Sequence, residues 1–406
     1  MGIHLTIANP LLVYNTGIAR SLTDAESYLS ARGLPLNVVG INFGAVGTYV
    51  PTYSNPLLGG SGGNLSDGTL SVQAGTFKWQ GISYSTFDGL DLLDFLQYYN
   101  KWQAFSPSPD AIVCSTYTPL VAGGGGIYYI LPAVLGVNFS GGVIGTLYDP
   151  QYSVPHGRLG CPANIGDASA NFVTEMTPKG GGSIAQQCYN NAIAAERAFN
   201  FRLPHVLSST GGPYVAPAPP GYDAAYWPTL MAAARSRYVN VTYDLCSAAY
   251  PCGTSAANDF LNGVVSPPLP IFGLCCPFNA NDDNNPPGSH VYSNNYIPLL
   301  GAWSAHWYSF QWYWSLDFLY NGGSAAYTTI AEPYENGIHD PKQFLIGLMS
   351  GLSMAECLPW SVSPAADSYV DVSTCQRQTV IGDPLYRPYA IQTPLPGAAY
   401  FPGLLV

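Results

Sequence analysis

Hydrophobic and polar positions change their period several times along the chain, and each change marks an element. Leu11-Leu12-Val13-Tyr14 is a short unbroken apolar run, the pattern of a strand buried on both faces. Thr23 followed three residues later by Glu26 reads as a capping box that opens a helix through Arg32, which Gly33 and Pro35 end. Leu36 to Phe43 predicts the next strand, and strand-helix-strand is how a parallel α/β sheet begins. Residues 45–85 are rich in Gly, Ser and Asn, with short alternating pieces such as Phe77-Lys78-Trp79, and predict a loop carrying a β-hairpin. Leu90 to Trp102 has helical spacing, and Ala111 to Thr116 reads as a buried strand.

Ser183 is placed as the N-cap of a helix to about Phe199, with Ile184, Cys188, Ala192 and Ala195 on one stripe. The stretch 204–290 changes character, with Pro217-Ala218-Pro219-Pro220 and Pro267-Pro268, and reads as a loop-rich insertion on one side of the sheet. Trp303 to Tyr320 is apolar on most faces and predicts a buried aromatic helix capped by Asn321-Gly322-Gly323. A strand follows over Ser324 to Ile330. Asp340-Pro341 then opens a helix carrying Phe344, Leu345, Leu348 and Met349 inward. Gly351 interrupts that helix, and Ser353 with Glu356 caps it anew. Gln378-Thr379-Val380-Ile381 is the final strand, running into a Gly382-Asp383-Pro384 turn. The chain so divides into an N-terminal part of an α/β domain (1–203, with a hairpin insertion near 45–85), the insertion (204–290) and a C-terminal part (291–406).

Composition narrows the setting. Apolar residues make up 47% of 406, enough for a large core, whereas charged residues make up 9%, against roughly 25% in an ordinary soluble domain. The surface must be finished with Asn, Ser, Thr, Tyr and backbone groups, a balance associated with extracellular, cell-surface or virion proteins. The net charge of −11 is thinly spread, and no Lys/Arg cluster tracks a phosphate backbone, so nucleic-acid binding is not expected. Met1 to Pro10 has no basic n-region and is broken by His4, Asn9 and Pro10, unlike a signal peptide. The most apolar window, Ile127 to Val143, contains Pro132, Asn138 and glycines, and reads as strand and turn rather than a membrane span.

Candidate chemistry is sparse. The 9 cysteines include no C-x-x-C and no zinc-finger spacing. Cys246 and Cys252 bracket a short loop and can pair, as can Cys275 or Cys276 with a distant partner; Cys114, Cys188 and Cys357 sit in apolar segments that equally suit buried free thiols. Gly123 to Gly126 lacks the Lys-Ser/Thr of a phosphate-binding loop and reads as a flexible turn. Asp282 and Asp283, within Asn279 to Asn285, offer oxygens to calcium but lack the Gly and bidentate Glu of an EF-hand, so a solvated turn is preferred and no cofactor is expected. His306 beside Trp303 and Trp307 is a candidate base or a packed, hydrogen-bonded histidine. Glu332 before Pro333 is a carboxylate in an apolar strand end: a candidate acid or base, or a turn cap or ion partner of Arg387.

The blocks Gly322 to Tyr334, with Ala331-Glu332-Pro333-Tyr334, and Gly382-Asp383-Pro384-Leu385-Tyr386-Arg387-Pro388 resemble a family of exosortase-associated bacterial proteins. Arg32-Gly33-Leu34-Pro35, Tyr117-Thr118-Pro119-Leu120 and Gly157-Arg158-Leu159-Gly160-Cys161-Pro162 look like its other landmarks. The strand-then-Gly-Asp-Pro ending is also similar to the end of gingipain-type cysteine peptidases. That resemblance implies a caspase-like, mostly parallel sheet flanked by helices, and a Cys-His pair at the C-terminal ends of the two strands before Ser324. Here the pattern departs: the region Tyr296 to Trp314 offers His306 without a His-Gly or a Cys, and Cys275 and Cys276 precede it, in the reverse of the clan's order. The sequence therefore favours a non-catalytic structural or interaction protein of a surface or particle, such as a phage virion component, that self-associates or binds protein partners on a caspase-like scaffold. A cysteine-type hydrolase of the gingipain/caspase-like clan and a carbohydrate-binding surface protein are the alternatives. Glu332, Gly382, Asp383 and Arg387 are expected to form a structural motif that holds the fold.

Overall fold

A computed structural model describes residues 7–41, 111–116, 183–198, 268–276, 296–306, 312–329, 351–357 and 378–389, with Phe344, Gly347 and Leu348 between them and the backbone of short strands elsewhere. In chain order the first elements are β1 (Pro10–Asn15), α1 (Ala19–Arg32), β2 (Val38–Ile41), β3 (Phe77–Trp79), β4 (Ile82–Tyr84), β5 (Ala111–Cys114), β6 (Val121–Ala122), β7 (Tyr129–Ile130), β8 (Ser169–Asn171) and α2 (Ile184–Ala198). They are followed by β9 (His205–Thr210), β10 (Val241–Cys246), β11 (Leu269–Cys276), β12 (Tyr296–His306), α3 (Trp312–Tyr320), β13 (Ala325–Thr329) and β14 (Gln378–Gly382).

Every residue of β1 is buried, as its unbroken apolar run requires, because it pairs in parallel with β2 on one side and β5 on the other. The first sheet has the order β4-β3-β2-β1-β5-β8 and the second β10-β9-β11-β12-β13-β14. The β3-β4 hairpin adds to the first sheet in antiparallel fashion, and β14 does the same to the second; the remaining pairings in both are parallel. β14 lies against β8, so the edges of the two sheets meet. Helix α2 packs against β12 and β14 and also touches α1, while α3 covers β12 and β13. Among the largest side chains sealed in this core are Trp303, Tyr28, Tyr327, Tyr386 and Phe318, each of which stabilises by about 1.5–3 kcal/mol on leaving water.

Several sequence expectations shift. α1 begins at Ala19, one turn before the expected box, and its N-cap residue Ile18 makes no side-chain cap bond. The chain instead turns at Asn15, whose side-chain oxygen accepts from the Gly17 N–H at 2.9 Å, while its own N–H donates to Ser21 Oγ at 2.9 Å. Its far end is as expected: Gly33 is left-handed at φ 66°, and the Gly33 and Leu34 amides close back on Ser30 and Leu29.

The larger correction is at Trp303. Trp303 to His306 is the end of β12, and the aromatic helix starts only at Trp312. The apolar run Trp312 to Tyr320 drew the helix back too far: in Trp303 to His306 the polar Ser304 and His306 alternate with Trp303 and Ala305, the period of a strand. The stretch 204–290, read as an insertion of loops and short elements, supplies β9, β10 and β11 of the second sheet.

The reciprocal box at Ser353 and Glu356 forms, with Glu356 Oε2 accepting from the Ser353 N–H at 2.7 Å and Ser353 Oγ accepting from the Glu356 N–H at 3.2 Å. Cys114, Cys188 and Cys357 are buried free thiols. The expected helix over Leu90–Trp102, the glycine run at 123–126 and the Asn/Asp run at 279–285 lie outside the described residues. Among those described, no helix is long and apolar enough to cross a membrane.

Candidate functional site

Two places gather the residues singled out in the sequence. The first is the C-terminal edge of β11, β12 and β13, where open parallel sheets present groups to ligands. β11 and β12 are neighbouring parallel strands, and the register pairs Cys275 with Ala305 and Cys276 with His306. Reverse order along the chain is thus no obstacle to adjacency, since the two residues end strands that lie side by side.

His306 is wholly buried. Its Nε2 lies 3.2 Å from Ser304 Oγ, two residues back on the same face of β12. Its Nδ1 has no hydrogen-bond partner among the described residues. Burial lowers the pKa of the ring from 6.5 to about 3, so it is neutral at ordinary pH. One residue past the Ala305–Tyr327 pair, Thr328 on β13 continues the row; its buried hydroxyl is also unpartnered, and the next position across is Thr379 on β14. A Cys, a His and two Thr therefore occupy one level of the sheet.

The second place is the turn after β14. Gly382 has φ 93°, and a Cβ there would stand 2.7 Å from the Ser324 carbonyl oxygen, so the turn accepts only glycine without strain. Asp383 is fully buried. Its Oδ1 accepts from the Tyr28 hydroxyl at 2.8 Å and from the Leu385 N–H at 3.1 Å, and its Oδ2 accepts from the Arg32 guanidinium. Arg32 also pairs with Glu196 at 3.2 Å, and Glu196 Oε1 accepts from the Arg387 N–H at 2.9 Å. The Arg387 guanidinium reaches Glu356 at 3.4 Å, and the Tyr386 hydroxyl donates to the Gly301 carbonyl at 2.6 Å.

The electrostatics of this cluster follow from its burial. Desolvation alone would lower the Arg32 pKa, but the charges of Asp383, Tyr28 and Glu196 outweigh it and push the guanidinium well up. Burial, and then Asp383, raise the Tyr28 phenol. Burial also raises Glu196, against the pull of Arg32. The cluster ties the turn to α1, α2 and β12 and leaves its charges engaged with one another. These contacts tie Asp383 and Arg387 to α1, α2 and the Ser353–Glu356 turn.

Nothing in the sequence around Tyr28 marks it for this role, and the signal for Arg32 and Glu196 is that charges are scarce in the chain and both lie in the last turn of a helix. Glu332, Asp282 and Asp283 lie outside the described residues, as do the side chains of Cys275 and Cys276. Among the described residues no group of His, Cys, Asp and Glu could hold a metal ion.

No family model matches the chain. No curated protein matches it either. Among solved structures the chain has remote similarity to the Arg-specific cysteine proteinase gingipain R (RgpB), with 10% identity and a TM-score of 0.47 over 95% of this chain and 80% of that one. It is similarly related to the complex of the pro- and mature domains of Porphyromonas gingivalis RgpB, at 11% identity and a TM-score of 0.44, covering 93% of this chain and 79% of that one. The finding is a mixed α/β chain of parallel sheets flanked by helices, with a remote likeness to gingipain.

Proposed function

We propose that the chain is a cysteine-type hydrolase on a caspase-like scaffold, with Cys276 as nucleophile and His306 as base. The observation that carries this reading is the register of β11 and β12, which sets the two residues side by side at the C-terminal ends of parallel strands. A cysteine and a histidine at paired strand positions are residue types that can supply the two roles covalent acyl transfer needs: sulfur attacks the carbonyl, and the ring handles the proton. The test is labelling with a thiol-reactive peptide probe, followed by peptide mapping. Labelling at Cys276 that is lost in His306→Ala supports the reading; labelling indifferent to His306 sinks it.

A second reading, a non-catalytic structural or interaction protein of a surface or particle assembly, draws on two other observations. His306 is sealed from solvent, and Ile297 and Leu300, at the start of β12, are 54% and 51% exposed. Large apolar side chains at that exposure suit a protein contact. Particles visible by electron microscopy that dissociate in an Ile297→Asp, Leu300→Asp double variant would favour it; a monodisperse monomer would count against it.

A further inference from the structure

Three neighbouring strands of the second sheet bring polar side chains to one level: His306 on β12, Thr328 on β13 and Thr379 on β14, all wholly buried. Ala305 stands opposite Tyr327 in the parallel β12–β13 pair, so His306 and Thr328 share the next level, and Thr328 is paired with Thr379 across β13 and β14. Side chains at one level of a sheet leave it on the same face. His306 Nδ1 and Thr328 Oγ1 have no hydrogen-bond partner among the described residues. The Thr379 hydroxyl reaches the Val380 carbonyl only at 3.5 Å, a long and weak bond. A buried polar atom left without a partner loses its hydration and gains nothing in return, so two such atoms side by side, with a third poorly engaged, point to a further molecule between them.

We propose that this row is an internal water site, in which one water molecule is held by His306 Nδ1, Thr328 Oγ1 and Thr379 Oγ1. Buried waters typically make about three hydrogen bonds to protein groups, the number these atoms supply. The chemistry of the row selects a neutral molecule that both donates and accepts. His306 Nε2 lies 3.2 Å from Ser304 Oγ; if Nε2–H donates there, Nδ1 accepts from the water, and in the other tautomer Nδ1–H donates to it. A threonine hydroxyl likewise takes either role. The ring is neutral at ordinary pH, and no group of His, Cys, Asp and Glu among the described residues could hold a metal ion, so nothing in the row calls for an ion. The spacing also fits. Neighbouring strands lie about 4.7–4.9 Å apart, and two hydrogen bonds of about 2.7–2.8 Å, bent at a water above the sheet, span that distance. The paired register of β12 and β13 runs to Ala305 and Tyr327, and the water carries the link between these strands, and on to β14, one level further. The site stands whether or not the hydrolase reading does.

The test uses the full chain with methyl-labelled threonine, reading magnetisation transfer from long-lived water to the methyl groups, together with denaturant unfolding of Thr328→Val and Thr328→Ser. In wild type, water cross-peaks are expected at the methyls of Thr328 and Thr379. Thr328→Val keeps the shape of the side chain but removes one of the three partners; the Thr379 cross-peak should vanish and the folded-to-unfolded ratio should fall by about 5- to 30-fold, as when a buried polar group is left unpaired. Thr328→Ser keeps the hydroxyl and should keep the Thr379 cross-peak. The sign of the valine result is decisive. Without a water the Thr328 hydroxyl is a buried group with no bond to lose, and valine in its place makes the protein more stable. A higher midpoint in Thr328→Val overturns the site. Wild-type methyls with no water cross-peak overturn it equally, whatever the variants do.

Discussion

Asp383 and Arg32 are separated by most of the chain yet form one buried ion pair, each with further partners in Tyr28 and Glu196. Removing one member strands the other's charge away from water, a change that destabilises by about 3–5 kcal/mol. Arg32→Met should lower the denaturation midpoint accordingly with little change in denaturant slope. His306 sets a pH dependence of definite sign. Its ring is neutral in the native state down to pH about 3, whereas the unfolded chain binds a proton at the ordinary histidine pKa, near 6.5. Between those values the unfolded state holds more protons, so stability rises with pH across the window and is lost as pH falls through it, at about 1.4 kcal/mol per unit. Denaturation midpoints measured from pH 3.5 to 6.5 should show that slope in wild type and lose it in His306→Gln. Glu196 acts in the opposite direction: its raised pKa makes the native state the better proton binder just above the ordinary carboxylate value of 4.5. These buried charges were the least legible feature of the sequence. In a single chain nothing marks which of its few arginines will meet which carboxylate, because the partners come together only through tertiary packing.

At the scale of elements, legibility followed the presence of local chemistry. The restart at Ser353 and the stop at Gly33 were readable because each depends on residues within a few positions of itself. Ser353→Ala should therefore weaken the structure by about 1 kcal/mol, seen as a lower thermal midpoint with unchanged near-ultraviolet dichroism. Thr23 and Glu26 satisfied the same local rule and misled, since the turn at Asn15 starts the helix earlier. Trp303 to His306 misled more seriously. Read as helix, it hid a strand end and with it the row of Cys276, His306 and Thr328. Strand pairing is non-local, so no inspection of residues 296–306 alone could have revealed their register with 269–276. The β13–β14 pairing depends on Gly382, whose positive φ and close approach to Ser324 leave no room for a side chain. Gly382→Ala should destabilise by about 1–3 kcal/mol, with faster hydrogen exchange at the amides of Ala325 to Thr329.

On the scale of the whole molecule, the α/β class and the mostly parallel pairing were visible in the alternation of apolar runs with helical periods. The division into two six-stranded sheets was not. Prolines and polar runs between residues 204 and 290 masked three strands, because composition averages over a segment while strands need only a handful of suitable residues.

The clamp around Asp383 also orders events in time. Tyr28 and Arg32 on α1, and Glu196 on α2, are made long before Asp383 and Arg387, which bind them. While a ribosome is still adding the intervening residues, at roughly 5–20 per second, Arg32 and Glu196 can already pair with each other, but the carboxylate that Tyr28 and Arg32 both meet does not yet exist. Closing a contact across 355 positions is also entropically slow relative to local pairing. Among the described residues the Gly-Asp-Pro turn thus acts as a closing stitch: its carboxylate completes contacts that the two helices, made earlier, can only begin.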